Sequence, residues 1–203
     1  MDLKNKEALH EYVKTSINEV YSFAEALDME RIDAAKQLIL DAEKNKNRVH
    51  VTGIGKPGHV AGYIASLLSS TGTAAYELHA TEAVHGSSGQ VAAGDVVIAI
   101  SNSGETKELQ KTITTLKNNG AKIIAVTGNK NSWLAKQGDV TLFAGVKEEG
   151  DTLNKPPRTS ILAEIIVLQC LSVILEYEKG LNLEQYVKWH PSGVLGKSIL
   201  QGK

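Results

Sequence analysis

The sequence predicts an α/β domain: a three-layer, doubly wound fold with a five-stranded parallel sheet, preceded by helices. Three observations lead there. From residue 48 onward, short β-rich runs alternate with segments of helix length, the spacing of βαβ units. DVVIAIS (95–101) is apolar without alternation, so its sheet is covered on both faces. Runs ending at Thr52-Gly53, Ser101-Asn102 and Thr127-Gly128 all pass into small polar residues just before a helix. Ligands of open α/β sheets bind outside those carboxyl ends.

In chain order, residues 4–27 carry Leu9, Val13, Ile17, Val20, Phe23 and Leu27 at helical spacing. A second helix runs from Asp28, its N-cap, to Lys46, with Ile32, Ala35, Leu38 and Ile39 on one side. RVHVTG (48–53) is the first strand, and a helix follows from Pro57 to Ser70. TAAYEL (73–78) is the second strand and leads into the loop HATEAVHGSSG. After DVVIAIS a helix spans Glu105 to Asn119, with Gly120 as its C′ residue. KIIAVTG (122–128), a short helix over 132–136, and DVTLFAG (139–145) complete the sheet. An apolar helix over 159–178 ends at Gly180, and a short helix and tail close the chain.

At 203 residues, one domain is expected, divided into N-terminal helices (1–46), an α/β core (47–180) and a C-terminal helix and tail (181–203). Twenty-two Lys+Arg against 23 Asp+Glu give a net charge of −1, so no nucleic-acid or anionic-membrane partner is expected. The start lacks the apolar run of a signal peptide. No stretch reads as the ~20 apolar residues that span a bilayer. The one cysteine, Cys170, sits in an apolar run as a small core residue, and a reducing, cytoplasmic setting follows.

Gly53 to Gly58 spell G-x-G-x-x-G after a strand and before a helix, and Glu77 stands where a ribose-binding acid belongs in the dinucleotide fingerprint. Lys56 would crowd the pyrophosphate, and Pro57 at the first helical position removes a donor N–H. A kinase loop would need an H-R-D motif, which is absent, and a P-loop would need G-K-[ST]. On residues alone, a plain strand-to-helix turn with a solvated Lys56 stands equal to any ligand loop. SNSGET (101–106) is more specific. Ser101, Ser103 and Thr106 place three hydroxyls at a helix start, where free N–H groups and the macrodipole hold phosphate. A simple cap needs one hydroxyl. His79 and His85 are six apart, outside the i,i+4 metal spacing, and read first as loop histidines. His190 reads as a surface or interface residue in a position suited to acid/base work. Glu148-Glu149 reads as a solvated pair.

Taken together, G-I-G-K-P-G-H (53–59), S-S-T-G-T (69–73), H-A-T-E-A-V-H-G (79–86), D-V-V-I-A-I-S-N-S-G-E-T-K-E (95–108) and H-P-S-G-V-L-G-K (190–197) resemble the sugar isomerase (SIS) domain. Within it they are most similar to the arabinose-5-phosphate isomerases. The resemblance implies that Ser101, Ser103 and Thr106 hold a phosphate and that Lys56, Glu108, Glu149 and His190 are the catalytic positions. It implies that Gly72, Thr73, His79 and His85 contact substrate, with His79 also able to hold an inhibitory zinc ion. The family usually continues into a pair of cystathionine-β-synthase-type domains, and regulation through them is expected to be absent from this chain. Arg158 is an extra cation where the family has a P-T-S-S-T stretch.

The implied reaction is aldose–ketose isomerisation of a sugar phosphate, D-arabinose 5-phosphate to D-ribulose 5-phosphate, through an enediol(ate). It needs a base, a ring-opening acid and a cation for the oxyanion, and no redox cofactor. Glu149 is assigned as base, His190 as ring-opening acid/base, Lys56 as the enediolate's cation and Glu108 as its orienter. Exchanging the roles of Glu108, Glu149 and His190 fits equally well. The rivals are a hexulose-6-phosphate type isomerase and a non-catalytic sugar-phosphate sensor. Apolar faces on the first helices and on 159–178 predict an interface. The family's dimers of dimers make this a homotetramer in which His190 completes a site on another chain.

Overall fold

The computed structural model describes residues 2–190. Thirteen elements follow one another among them: α1 (Leu3–Glu25), α2 (Met29–Lys44), β1 (Val49–Gly53), α3 (Lys56–Ser70), β2 (Ala75–Glu77), α4 (Ala80–Ala83), β3 (Val96–Ile100), α5 (Lys107–Asn118), β4 (Lys122–Thr127), α6 (Trp133–Gln137), β5 (Val140–Phe143), α7 (Thr159–Lys179) and α8 (Leu183–Trp189). The expected α/β layering holds. The tail at 191–203, with most of the H-P-S-G-V-L-G-K motif, lies outside the described residues.

The five strands are parallel and ordered β2-β1-β3-β4-β5. Each strand sends alternate residues to opposite faces. On one face, Val49, Val51, Ile98, Ile100 and Val126 pack with α2, α3 and α7; on the other, Val97, Ala99, Ile123 and Ala125 pack with α4 and α5. β3 is therefore buried along its whole length, as its unalternated apolar run requires.

Local signals set the ends. Asp28 caps α2 through Arg31 N–H at 3.0 Å, and Gly120 (φ 86°) and Gly180 (φ 61°) end α5 and α7 in the left-handed region. α3 begins at Lys56, one residue earlier than the proline suggests. α4 and a 3₁₀ turn at Ser87–Gln90 break up what reads in sequence as one loop. Four-residue segments carry too little periodicity to be seen there.

Two expectations need correcting. α7 is long and apolar enough, by length and composition, to cross a bilayer, against the reading that no stretch is. It is instead a core helix, packed against α1, α2 and α3 and burying Ala163, Val167, Leu168, Leu171 and Leu175. Cys170 is only half-buried against that core.

The N-terminal helix departs further. Phe23 is buried, but Leu9, Val13, Ile17 and Tyr21 are 51%, 49%, 62% and 66% exposed. Its apolar stripe faces outward rather than onto the chain's own core.

Candidate active site

The chain winds from β1 outward to β2, then back across β1 to β3. The loops after β1 and β3 thus leave neighbouring strands in opposite winding directions, the crevice where open sheets bind ligands. The glycine–lysine loop and the serine loop flank that crevice.

The first is a tight turn. A Cβ at Gly53 would meet the Pro57 carbonyl carbon at 2.7 Å, and Gly55 has φ 67°, so only glycine closes it. No side chain caps α3, and exposed Lys56 is its first residue. A cation at a helix N-terminus is electrostatically unfavourable by itself, which argues for an anionic partner. Lys56 has no hydrogen-bond or ion-pair partner among the described residues. It opens on a cavity of about 500 Å³ shared with Tyr12, His59, Tyr63, Arg158 and Ile161.

In the serine loop, Ser101 is buried and its Oγ lies 3.2 Å from Thr106 Oγ1. Gly104 N–H donates to Ser101 Oγ at 3.2 Å, and Glu105 N–H to Ser103 Oγ at 3.2 Å. Thr106 is the N-cap residue of α5, yet its side chain accepts no capping bond. The first N–H groups of that helix are left for a ligand. Gly104 (φ 66°) is fixed by space, since a Cβ would collide with the Ser132 side chain. Glu108 is exposed in the first turn of α5 and makes no ion pair with Lys56.

Glu149 corrects the reading of a solvated pair. Glu148 is exposed, but Glu149 is only 8% exposed. Its Oε2 accepts from Arg158 N–H at 2.7 Å and Ser160 N–H at 3.1 Å, capping α7 in place of the Arg158 side chain, which caps nothing. Its own N–H donates to Asn154 Oδ1, and Arg158 Nη1 pairs with Asp151 at 2.7 Å, closing the loop between them. Glu149 Oε1 makes no hydrogen bond among the described residues, so the carboxylate is held by one oxygen and offers the other.

His79 and His85 are both exposed on the loops after β2. His79 Nδ1 lies 3.0 Å from Thr81 Oγ1, beside a cavity of about 230 Å³ lined by Gly53, Gly55, Gly58, His59 and Glu77. Glu77 lies against α3, its Oε2 2.9 Å from where a Cβ of Gly62 would stand. No group of three or more His, Cys, Asp or Glu side chains among the described residues is placed to hold a metal. His79 alone is one ligand of the three or four that zinc takes, so this chain's donors do not fit a zinc site by themselves.

Gly72, Thr73 and His190 are not brought to this crevice. Gly72 and Thr73 precede β2, at the opposite edge of the sheet, where Lys179 Nζ donates to Thr73 Oγ1 (2.6 Å) and Gly72 O (3.1 Å). The Trp189 ring lies on Gly72, 2.8 Å from where a Cβ would be. His190 follows it, stacked on Tyr186 at 3.9 Å with Nδ1 2.8 Å from Tyr186 O. Within one chain the sequence-derived set therefore divides in two. Lys56, Ser101, Ser103, Thr106, Glu108, Glu149, His79 and His85 belong to the carboxyl edge, and Gly72, Thr73 and His190 to the amino edge.

One acidic residue escaped the sequence reading. Glu164, in the second turn of α7, is fully buried, and neither of its carboxyl oxygens has a hydrogen-bond partner. A glutamate on the apolar stripe that includes Ser160, Val167 and Leu168 was the available signal.

Comparison with known proteins bears on the family and the fold. The SIS domain family matches residues 44–174. An arabinose 5-phosphate isomerase, KdsD, of Francisella tularensis is 36% identical over 171 residues, covering 84% of this chain and 52% of its own. KdsD of Pseudomonas aeruginosa is 40% identical over 155 residues, covering 76% of this chain and 48% of its own. The chain thus spans about half the length of the curated relatives it matches. A solved structure of an Escherichia coli CFT073 protein in complex with arabinose 5-phosphate superposes with a TM-score of 0.81 at 30% identity, covering 94% of this chain and 100% of that one.

Proposed function

The chain belongs to the SIS domain family, and on that premise we propose that it is a phosphosugar aldose–ketose isomerase, interconverting D-arabinose 5-phosphate and D-ribulose 5-phosphate. The observation that carries this reading is at the β1/β3 crevice. An α5 without a side-chain cap, with the Ser101, Ser103 and Thr106 hydroxyls, stands beside Lys56, unpaired among the described residues, at the start of α3. One loop suits the phosphate and the other suits the negative charge that isomerisation develops.

The chemistry follows from that placement. A ring-opening group protonates the ring oxygen and frees the aldehyde. Glu149, through its unengaged Oε1, takes the proton from C2, and the electron pair moves into a C1–C2 enediolate. Lys56 stabilises the oxyanion. The proton returns to C1 while the C2 hydroxyl proton passes to O1, leaving the ketose. No electrons leave the sugar, so no redox cofactor takes part. Glu108, in the first turn of α5, orients Lys56 or shares the proton transfer.

His190, the assigned ring-opening group, completes this machinery from a second copy of the chain. The division of the site between two sheet edges supports that arrangement, and so do the uncovered apolar residues of α1, with Val173 and Tyr177 of α7 at 62% and 87% exposure. We propose a homotetramer with shared sites. Incubation with a panel of pentose and hexose phosphates tests the activity. Conversion of arabinose 5-phosphate and ribulose 5-phosphate into one another is expected. Conversion confined to a hexulose phosphate would move the substrate, and binding without conversion would identify a sensor.

A further inference from the structure

A carboxyl group shut away from water and left without a partner is costly, and natural proteins keep few of them. Glu164 is such a group: 0% exposed, with Oε1 and Oε2 both unpartnered. One turn before it on the same face of α7, Ser160 is also 0% exposed and its hydroxyl also lacks a partner. The backbone N–H of that same Ser160 holds Glu149 Oε2 at 3.1 Å. Two carboxyl groups thus stand at the first turns of one helix with Ser160 between them. Their environments are opposite. Glu149 is bonded to two N–H donors at a helix start, whereas the Glu164 oxygens have no donor among the described residues.

Burial, and secondarily the Glu149 charge, push the Glu164 carboxyl up to about 8 from its ordinary 4.5. Other charged and titratable groups face α7. They are Asp151 and Arg158 from the loop before it, Tyr12 from α1, Lys36 and Glu43 from α2, and Lys56, His59 and Tyr63 from α3. Arg158 pairs with Asp151. Lys36 and Glu43 engage Glu178 and Lys179 at the far end of the helix. Glu149 is the charge that acts on Glu164.

We propose that Glu164 is a positioning residue for the isomerisation, a buried acid that, kept uncharged, leaves the neighbouring Glu149 carboxylate as the single negative charge at the first turns of α7. This rests on Glu149 being the base, as proposed above. While Glu164 is neutral the pair carries one negative charge, and the base works beside a developing enediolate. When Glu164 ionises, a second charge appears in a dry site and opposes that enediolate, so turnover falls.

The test compares the full chain with Glu164→Gln, a neutral isostere, in two measurements. In steady-state kinetics, wild-type kcat is expected to fall about tenfold per pH unit above roughly pH 8, with KM for the sugar phosphate little changed. Glu164→Gln is expected to lose that alkaline fall. In thermal unfolding, the folded chain keeps a proton on Glu164 that the unfolded chain releases near its ordinary value. Stability present at low pH is therefore lost as pH rises toward 8. Wild type should show this decline in Tm between about pH 5 and 8, and Glu164→Gln should show a smaller one. A variant that keeps the wild-type alkaline fall in kcat overturns the proposal, as does one whose Tm declines as steeply as wild type. If wild type turns over no sugar phosphate, the isomerase reading fails and the positioning role with it, while the melting curves still report whether Glu164 titrates.

Discussion

The two edges of one parallel sheet are built from similar residues and handle them differently. At the amino edge most polar groups satisfy each other, although the buried His50 Nδ1 has no partner among the described residues. Asp95 accepts from Arg48 N–H, Ala92 N–H and the Asn47 side chain, and lies 3.2 Å from His50 Nε2. Lys179 is shared by Glu43, Gly72 and Thr73. At the carboxyl edge they are left open: α3 and α5 start without side-chain caps, Lys56 is unpaired among the described residues, and Glu149 offers one free oxygen. The buried His50–Asp95 pair resembles a catalytic dyad in composition. Burial holds His50 below its ordinary value, so it is a neutral core histidine under a closed edge. A cleft of about 810 Å³ is a groove at the amino edge beside Arg48, Gly72 and Lys179. Open hydrogen-bonding capacity at a winding reversal marks the site better than cavity size or a titratable pair does.

That contrast is breakable. The largest effect is expected at Lys56. Lys56→Ala should lower kcat by about 10²–10³ with Tm unchanged, because the side chain is exposed and makes no contact that holds the fold. Wild-type turnover in this variant would return Lys56 to the solvent. Next comes the phosphate loop. Ser103→Ala or Thr106→Ala should raise KM roughly 10- to 100-fold, since a hydroxyl bonded to a charged group contributes about 1.5–3 kcal/mol. Unchanged kinetics in both single variants would end the assignment.

The amino edge should answer in stability rather than in kinetics. Asp95→Asn, which weakens bonds to two N–H groups and to His50, should cost about 1–3 kcal/mol of stability and leave KM where it was. A strong rise in KM with no change in Tm would erase the distinction between the edges. The smallest effect is expected from chelation. Lys56 already supplies a cation and His79 is a lone ligand, so a chelator should leave activity intact, and zinc, if it binds at His79, should inhibit. Activity lost on chelation and restored by metal would refute this.

Much of the carboxyl edge could be read from the sequence, because strand ends rich in small polar residues announce themselves. Ser101, Ser103, Thr106 and Lys56 lie within short local patterns. Glu149 and Glu148 are neighbours in sequence and differ only in how the loop at 149–158 folds back on α7, so the sequence could not separate them. The resemblance implied that Gly72 and Thr73 contact substrate, but strand direction and register decide which edge they reach. The stripe of α1 was visible at Leu9, Val13 and Ile17, but its outward direction depends on what α7 already covers. Glu164 was visible as a charge in an apolar stripe, whereas its lack of partners is a property of packing alone.

The claim that binds these points is that the two edges meet between chains. Lys56→Ala and His190→Ala, each inactive, should be mixed under conditions where subunit exchange is demonstrated, and assayed on arabinose 5-phosphate. If one chain's carboxyl edge works with another's amino edge, mixed assemblies contain some sites with both residues intact, and a fraction of wild-type activity returns. No recovery despite proven exchange would mean that each chain carries its whole site, and the account would be wrong.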